Sequence, residues 1–273
     1  MEIPVIDLSQ LEGENRSKTM ALLHEACEKW GFFQVENHGL EKKLMDKVKQ
    51  LVNAHYEENL KESFYESETA KGLVNKCDID WESSFFIWHR PASNINDIHD
   101  LSENLREMMD EYITQLIQLA EKLSQLMSEN LGLDRDYIKK TFSGAKGSFC
   151  RNKDERVPGL EFSKDGEWIK IPPSKNNTIF VNTGDQLEVL SNGRYKSTLH
   201  RVMAGKEGSR LSIATFYNPA GDAIISSAPE FSYPQNYKFQ DYLKLYATTK
   251  FSDKGPRFEA MKKLANGHGS LGV

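Results

Sequence analysis

The chain has 273 residues, of which 38% are hydrophobic and 27% charged, with a net charge of -5. That composition fits a folded protein with one large core or two modest ones, and it excludes a disordered chain. The acidic balance excludes a general nucleic-acid binder, which needs a basic face to displace counterions. No stretch of about 18 apolar residues is present, which excludes a membrane-spanning helix. The three cysteines, Cys27, Cys77 and Cys150, are far apart and form no Cys-x-x-Cys pair. That excludes a disulfide framework or a cysteine-based zinc site and points to a reducing compartment. The N-terminal residues carry an early acid and a proline and no apolar run, unlike a secretion signal, so the cytoplasm is the expected location.

In chain order, residues 3–8 read as a short strand. Residues 15–30 carry Met20, Leu23, Cys27 and Trp30 at helical spacing, and Gly31 ends that helix. Phe32 to Val35 follow as a strand, closed by Asn37, His38 and Gly39. Residues 41–61 form a second helix with Leu44, Val48, Leu51 and His55 near one face. Residues 63–80 are polar and irregular. Residues 84–88 read as a strand stopped by Pro91. The longest helix covers residues 101–131, with an apolar stripe from Leu105 through Met109, Tyr112, Leu116 and Leu123 to Met127. Gly132 stops it, and Asp134 is placed to cap a short helix beyond.

After Gly147 the hydrophobic period changes from helix to strand. Residues 159–162, 168–171 and 178–181 read as short strands, with a turn at Lys164-Asp165-Gly166. Asn192-Gly193 has the chemistry of a hairpin turn. Residues 196–204 and 209–217 read as a strand pair, and residues 223–226 as a further strand. Residues 237–248 and 257–264 read as helices. The expected layout is α+β, helices first and antiparallel strands after. It divides into a mainly helical region over 1–147, a barrel region over 148–250 and a C-terminal helix and tail over 251–273.

The last strand pair holds the most informative constellation. Alternation puts His200 and Val202 on one face, and Arg210, Ser212, Ala214 and Phe216 on one face. An inward Arg210 needs an anionic partner. A guanidinium fork with a hydroxyl two residues on suits a carboxylate. The alternative is a half-exposed hairpin with an isolated histidine and a solvated arginine.

Longer motifs favour the first reading. The run from Glu25 through Trp30-Gly31-Phe32-Phe33 to Asn37-His38-Gly39 resembles the N-terminal motif of plant 2-oxoglutarate/iron-dependent dioxygenases. Asp80-Trp81-Glu82-Ser83-Ser84-Phe85-Phe86 resembles a segment particular to the plant 1-aminocyclopropane-1-carboxylate oxidases. Similar in turn are Asn182-Thr183-Gly184-Asp185-Gln186, the run Leu199-His200-Arg201-Val202, Arg210-Leu211-Ser212, Phe216-Tyr217-Asn218-Pro219 and Lys254-Gly255-Pro256-Arg257-Phe258-Glu259. The resemblance covers nearly the whole chain. It implies a double-stranded β-helix (jelly-roll) with flanking helices. It implies Fe(II) held by two histidines and one aspartate, ascorbate as cosubstrate, bicarbonate as activator, and 1-aminocyclopropane-1-carboxylate and O2 as small-molecule substrates. By the same resemblance His200 is the second ligand histidine, Arg210 and Ser212 bind substrate, and Lys254, Arg257 and Glu259 are catalytic. His38 matches a family position and reads as structural.

One part of the pattern is missing. The chain has seven histidines, and none is followed two residues later by aspartate. His55-Tyr56-Glu57 is the nearest approach, but on a helix two such positions diverge by about 200°, and it reads as a surface helix. The family's His-x-Asp stretch belongs between Gly147 and Gly159. The expectation is therefore an oxidase-type chain with an internal deletion, an incomplete barrel open near Ser148 to Asn152, and no activity. The alternatives are a non-catalytic variant with a binding role, or a 2-oxoglutarate-dependent relative.

Overall fold

The computed structural model describes residues 2–62, 84–90, 92–142, 146–151, 159–173, 177–203, 211–226, 236–249 and 254–265. Of the sequence features above, the polar stretch 63–80 with Cys77, Asp80 to Ser83, Pro91, Asn152 and Arg210 lie outside these residues.

In chain order the elements are β1 (Val5–Asp7), α1 (Arg16–Glu25), β2 (Phe32–Glu36), α2 (Lys42–His55), β3 (Ser84–Arg90), α3 (Glu103–Asn130), α4 (Tyr137–Thr141) and β4 (Lys146–Arg151). There follow β5 (Leu160–Lys164), β6 (Glu167–Lys170), β7 (Ile179–Asn182), α5 (Asp185–Leu190), β8 (His200–Val202) and β9 (Ser212–Tyr217). The last are β10 (Ile224–Ile225), β11 (Tyr237–Lys238), α6 (Phe239–Thr249) and α7 (Lys254–Ala265). Both α1 and α2 widen into a π-turn at their C-terminal ends, over Ala26–Trp30 and Tyr56–Leu60.

Local chemistry explains the ends. Gly31 takes φ +73°, the left-handed conformation that closes a helix and suits glycine. The Ser102 hydroxyl accepts a hydrogen bond from Leu105 N at 3.3 Å, capping α3. Asp134 does not cap α4 from the adjoining position, but its carboxylate accepts from Asp136 N at 3.0 Å and so shapes the turn before that helix. Asp165 and Gly166, both at positive φ, make the tight turn between β5 and β6.

The main core lies under α3. Leu105, Met109, Tyr112, Ile113, Leu116, Leu123 and Met127 are buried along its inner stripe. They meet Leu23 of α1, Leu44 and Val48 of α2, Phe33 and Val35 of β2, and Leu187 and Leu190 of α5. The opposite face of β2 turns Phe32 into a second cluster with Phe162 and Ile171, as strand alternation requires. A third cluster joins Val189 of α5 to Tyr237, Tyr242, Phe258 and Met261. Helix α5 therefore packs between the main core and the C-terminal helices.

The described strands form three three-stranded sheets, ordered β1-β2-β7, β3-β4-β9 and β6-β5-β8, and the β10-β11 ribbon. Together they do not close a barrel. Three sequence expectations are corrected here. The segments around β8 and β9 are not a hairpin pair: β8 pairs with β5, and β9 pairs with β4. The opening is not at Ser148 to Arg151, which lie in β4, the central strand of its sheet, paired with β3 on one edge and β9 on the other. Asn192-Gly193, both at positive φ, does not join two strands but turns the chain directly after α5. The first and second sequence regions also interleave, since β2 pairs antiparallel with β7, placing Phe32 opposite Asn182 and Val35 opposite Ile179.

Candidate functional site

His200 opens β8 and stands opposite Phe162 in the β5-β8 register. Its exposed imidazole stacks on the Phe162 ring, with centroids 4.9 Å apart and planes at 17°. Its Nδ1 lies 3.3 Å from Thr198 O. The strand is held by Arg201, whose Nε donates to the buried Glu161 carboxylate at 2.8 Å and whose guanidinium lies 4.0 Å over Trp168.

The approach to His200 is fixed by a close crossing over Gly31. Thr183 N donates to Gly31 O at 2.9 Å, and its hydroxyl lies against Lys196 O. Thr198 Oγ1 donates to Trp30 O at 2.6 Å, and Lys196 N donates to Cys27 O at 3.0 Å. A Cβ at position 31 would run into Lys196 O and Thr198 Oγ1.

Ser212 begins β9, opposite Arg151 in β4, so it lies in a different sheet from His200. Its hydroxyl oxygen is buried and has no hydrogen-bond partner among the described residues. Its expected companion Arg210 lies outside the described residues.

The C-terminal trio lies on α7. Lys254 begins α7, and its side chain is outside the described set. Glu259 is exposed and accepts from Lys262 at 2.7 Å. Arg257 is buried at 4% exposure. Its Nη1 donates to Asp185 Oδ2 at 2.9 Å, its Nη2 to Thr249 O at 2.9 Å, and its Nε to Thr249 Oγ1 at 3.0 Å. The guanidinium lies 4.7 Å from the Tyr246 ring centroid. Tyr242 OH donates to the same Asp185 Oδ2 at 2.5 Å, and Ser197 Oγ donates to Oδ1 at 2.6 Å. Burial first, and then the Asp185 charge, pushes the Tyr242 phenol well above its usual range.

Sequence reasoning missed this buried polar network. The available signal was a short helix, Asp185–Leu190, carrying two acids beside apolar residues that are all buried. His38 is engaged on both ring nitrogens: Leu40 N donates to Nδ1 at 3.1 Å, so Nε2 carries the proton toward Asn177 O at 2.7 Å. Helix α2 is a surface helix, with Lys43, Lys47 and Gln50 exposed, but His55 is not on its outer face. It is a buried residue of the inner face of α2, whereas Glu57 is exposed and pairs with Lys61.

Residues 146–219 match the 2OG-Fe(II) oxygenase superfamily model, and residues 3–97 match the N-terminal model of non-haem dioxygenases, described from morphine synthesis. The chain is 60% identical to 1-aminocyclopropane-1-carboxylate oxidase 1 of Arabidopsis thaliana, over 97% of this chain and 96% of that one. It is 42% identical to 1-aminocyclopropane-1-carboxylate oxidase 1 of Malus domestica, over 95% and 96%. The chain belongs to the 1-aminocyclopropane-1-carboxylate oxidase family. Among solved structures, JOX2 in complex with 2OG, Fe and JA superposes with a TM-score of 0.80 at 27% identity, covering 96% of this chain and 89% of that one. The rice dioxygenase for auxin oxidation superposes with a TM-score of 0.74 at 22% identity, covering 94% and 99%, a likeness of fold. These neighbours place the chain in the double-stranded β-helix class. The alignments to the two oxidases run over 298 and 302 positions, more than the 273 residues of this chain, so residues of those relatives have no counterpart here.

Membership of the oxidase family implies an oxidoreductase of ethylene biosynthesis that uses Fe(II) and ascorbate. The described donors of this chain do not fit such an iron centre. No group of three or more His, Cys, Asp or Glu among the described residues stands close enough to hold a metal ion. Asp185 and Glu188, the acids nearest His200 on its N-terminal side, are committed elsewhere. Asp185 binds Arg257, Tyr242 and Ser197, and Glu188 accepts from Ser197 N at 2.6 Å. Among the described residues no helix is long and apolar enough to cross a membrane.

Proposed function

We propose that this chain is an oxidase-family protein that keeps the shell of the enzyme and its substrate-facing residues but does not turn over 1-aminocyclopropane-1-carboxylate. One observation carries the reading: none of the seven histidines is followed two residues later by aspartate. The family's ligand motif therefore occurs nowhere in the sequence. A ferrous site draws its affinity from several preorganised donors, and His200 alone offers one. The break falls at the Gly147–Asn152 junction, where only Ser148-Phe149-Cys150-Arg151 stand between the Phe142 to Gly147 flank and the Asn152 to Leu160 flank. The length of the relatives' alignments supports a loss of residues from this chain.

In this reading His200 occupies the second ligand position, and Arg210 with Ser212 is the pair that would take the substrate carboxylate. The unpartnered Ser212 hydroxyl supports that role. Lys254 and Glu259 are C-terminal residues tied to activity in the complete enzyme, with bicarbonate as activator.

The test is a repair. Ser148 to Arg151 are replaced by the corresponding full segment of the Arabidopsis thaliana relative, and ethylene is measured from both chains with Fe(II), ascorbate, bicarbonate and O2. The repaired chain is expected to form ethylene and the present chain none. His200→Ala in the repaired chain should abolish turnover, whereas Arg210→Ala should raise KM by removing a carboxylate partner. Ethylene from the unrepaired chain would overturn the reading.

A further inference from the structure

We infer that Arg257 is a positioning residue, coupling the C-terminal helix α7 through Asp185 and Ser197 to the segment that carries His200, and that it does not engage a substrate or activator anion. Its bearing on iron rests on the reading of His200 as a ligand position. The coupling itself rests on the geometry of this chain.

The guanidinium is almost fully buried, and all three of its nitrogens already donate to fixed acceptors. Tyr246 closes one face of it. Two of its five N–H groups are not used in these bonds, but at 4% exposure an anion reaches them only by displacing the groups packed around them. Displacing Asp185 would strand a buried carboxylate, because the ion pair is buried, with side-chain exposures of 5% and 12%. Breaking such a pair on one side is expensive.

The same carboxylate uses its other oxygen on the Ser197 hydroxyl at 2.6 Å. The Ser197 amide is held by Glu188 at 2.6 Å, and the Thr198 hydroxyl by Trp30 O at 2.6 Å. His200 follows two residues later on a three-residue strand. So short a strand is weakly anchored by its own ladder, and its placement depends on what holds the approach to it. Arg257 therefore acts on His200 at second hand. Loss of its fork lets Asp185 rotate, frees Ser197, and loosens the start of β8.

The test is site-resolved amide hydrogen exchange on the full chain, carried out on Arg257→Ala, Asp185→Asn and the double variant. Each single variant should speed exchange at Ser197 and across β8 by roughly tenfold, the size of one lost charge-assisted hydrogen bond. The double variant should add little to either, because both sever one linkage. Amides in the middle of α3 should be unchanged, which a general loss of stability would not allow. If Arg257→Ala does not fold, Arg257→Lys and Tyr242→Phe give the same comparison, with smaller changes at the same amides. The Arg257 Nε–H resonance should also be in slow exchange and unmoved by sodium bicarbonate. Faster exchange confined to α6 and α7, equal acceleration throughout, or a bicarbonate-dependent shift of that resonance would each overturn the inference.

Discussion

At the scale of single residues, Gly31 has two independent reasons to be glycine. Its φ of +73° is a conformation that residues with a Cβ adopt at a cost, and the added carbon would meet the Lys196 carbonyl oxygen. Gly31→Ala should therefore destabilise the chain by at least about 1–3 kcal/mol, read as a lower midpoint in urea with an unchanged slope; an unchanged midpoint would show that the crossing relaxes freely. His55 is a second case. Burial is the largest cause that lowers its pKa, partly opposed by the Asp100 charge, and Asn59 Nδ2 lies 3.2 Å from its Nδ1, a donor suited to the neutral ring. A histidine whose folded pKa lies below its unfolded value binds a proton more readily when unfolded. Its contribution is thus fully present above the ordinary imidazole value of about 6.5 and is lost as pH falls from there toward the folded value. His55→Gln should flatten the fall in stability below that pH, measured as melting temperature across the acid limb; an identical slope in both proteins would assign the acid sensitivity to other groups. The neighbours of His55 at helical spacing were legible in the sequence. The pairing of Arg257 was not, because its partner Asp185 is 72 positions away and no local period encodes such a contact.

At the scale of elements, the long amphipathic helices were the most legible. The stripe of α3 and the inner face of α2 were readable because their packing follows from a 3.6-residue period. The alternation of β2 was equally direct. What failed depended on non-local pairing. Lys146–Arg151 has no clear two-residue alternation, yet it becomes the centre of a sheet because β3 and β9 flank it. The Asn192-Gly193 signal reports a local preference for positive φ and does not say what flanks the turn. Strand β9 has a consequence of its own. It ends its sheet among the described strands, and Leu211 to Tyr217 contains no charge, glycine or proline, the features that usually guard a sheet edge. Phe216 is half exposed on it. Phe216→Lys should raise the protein concentration at which light scattering first detects association; an unchanged threshold would show that another surface drives it.

At the scale of the whole molecule, the chain matches its oxidase relatives in sequence and JOX2 in fold over nearly all of its length, while its described sheets stay separate. The core under α3 and the C-terminal cluster around Tyr242 are complete enough to place His200 and Ser212 on β8 and β9. The absence of a His-x-Asp run was legible in the sequence, since such a motif is a local pattern that can be read along the whole chain. The arrangement of the remaining donors was not, because it depends on which acid each buried cation captures. The most direct measurement of the central claim is an anaerobic calorimetric titration of the present chain with Fe(II), alongside its His200→Ala variant. The account predicts no stoichiometric binding at micromolar affinity and no difference between the two proteins. One equivalent of Fe(II) bound at micromolar affinity or tighter, and lost with His200, would contradict it.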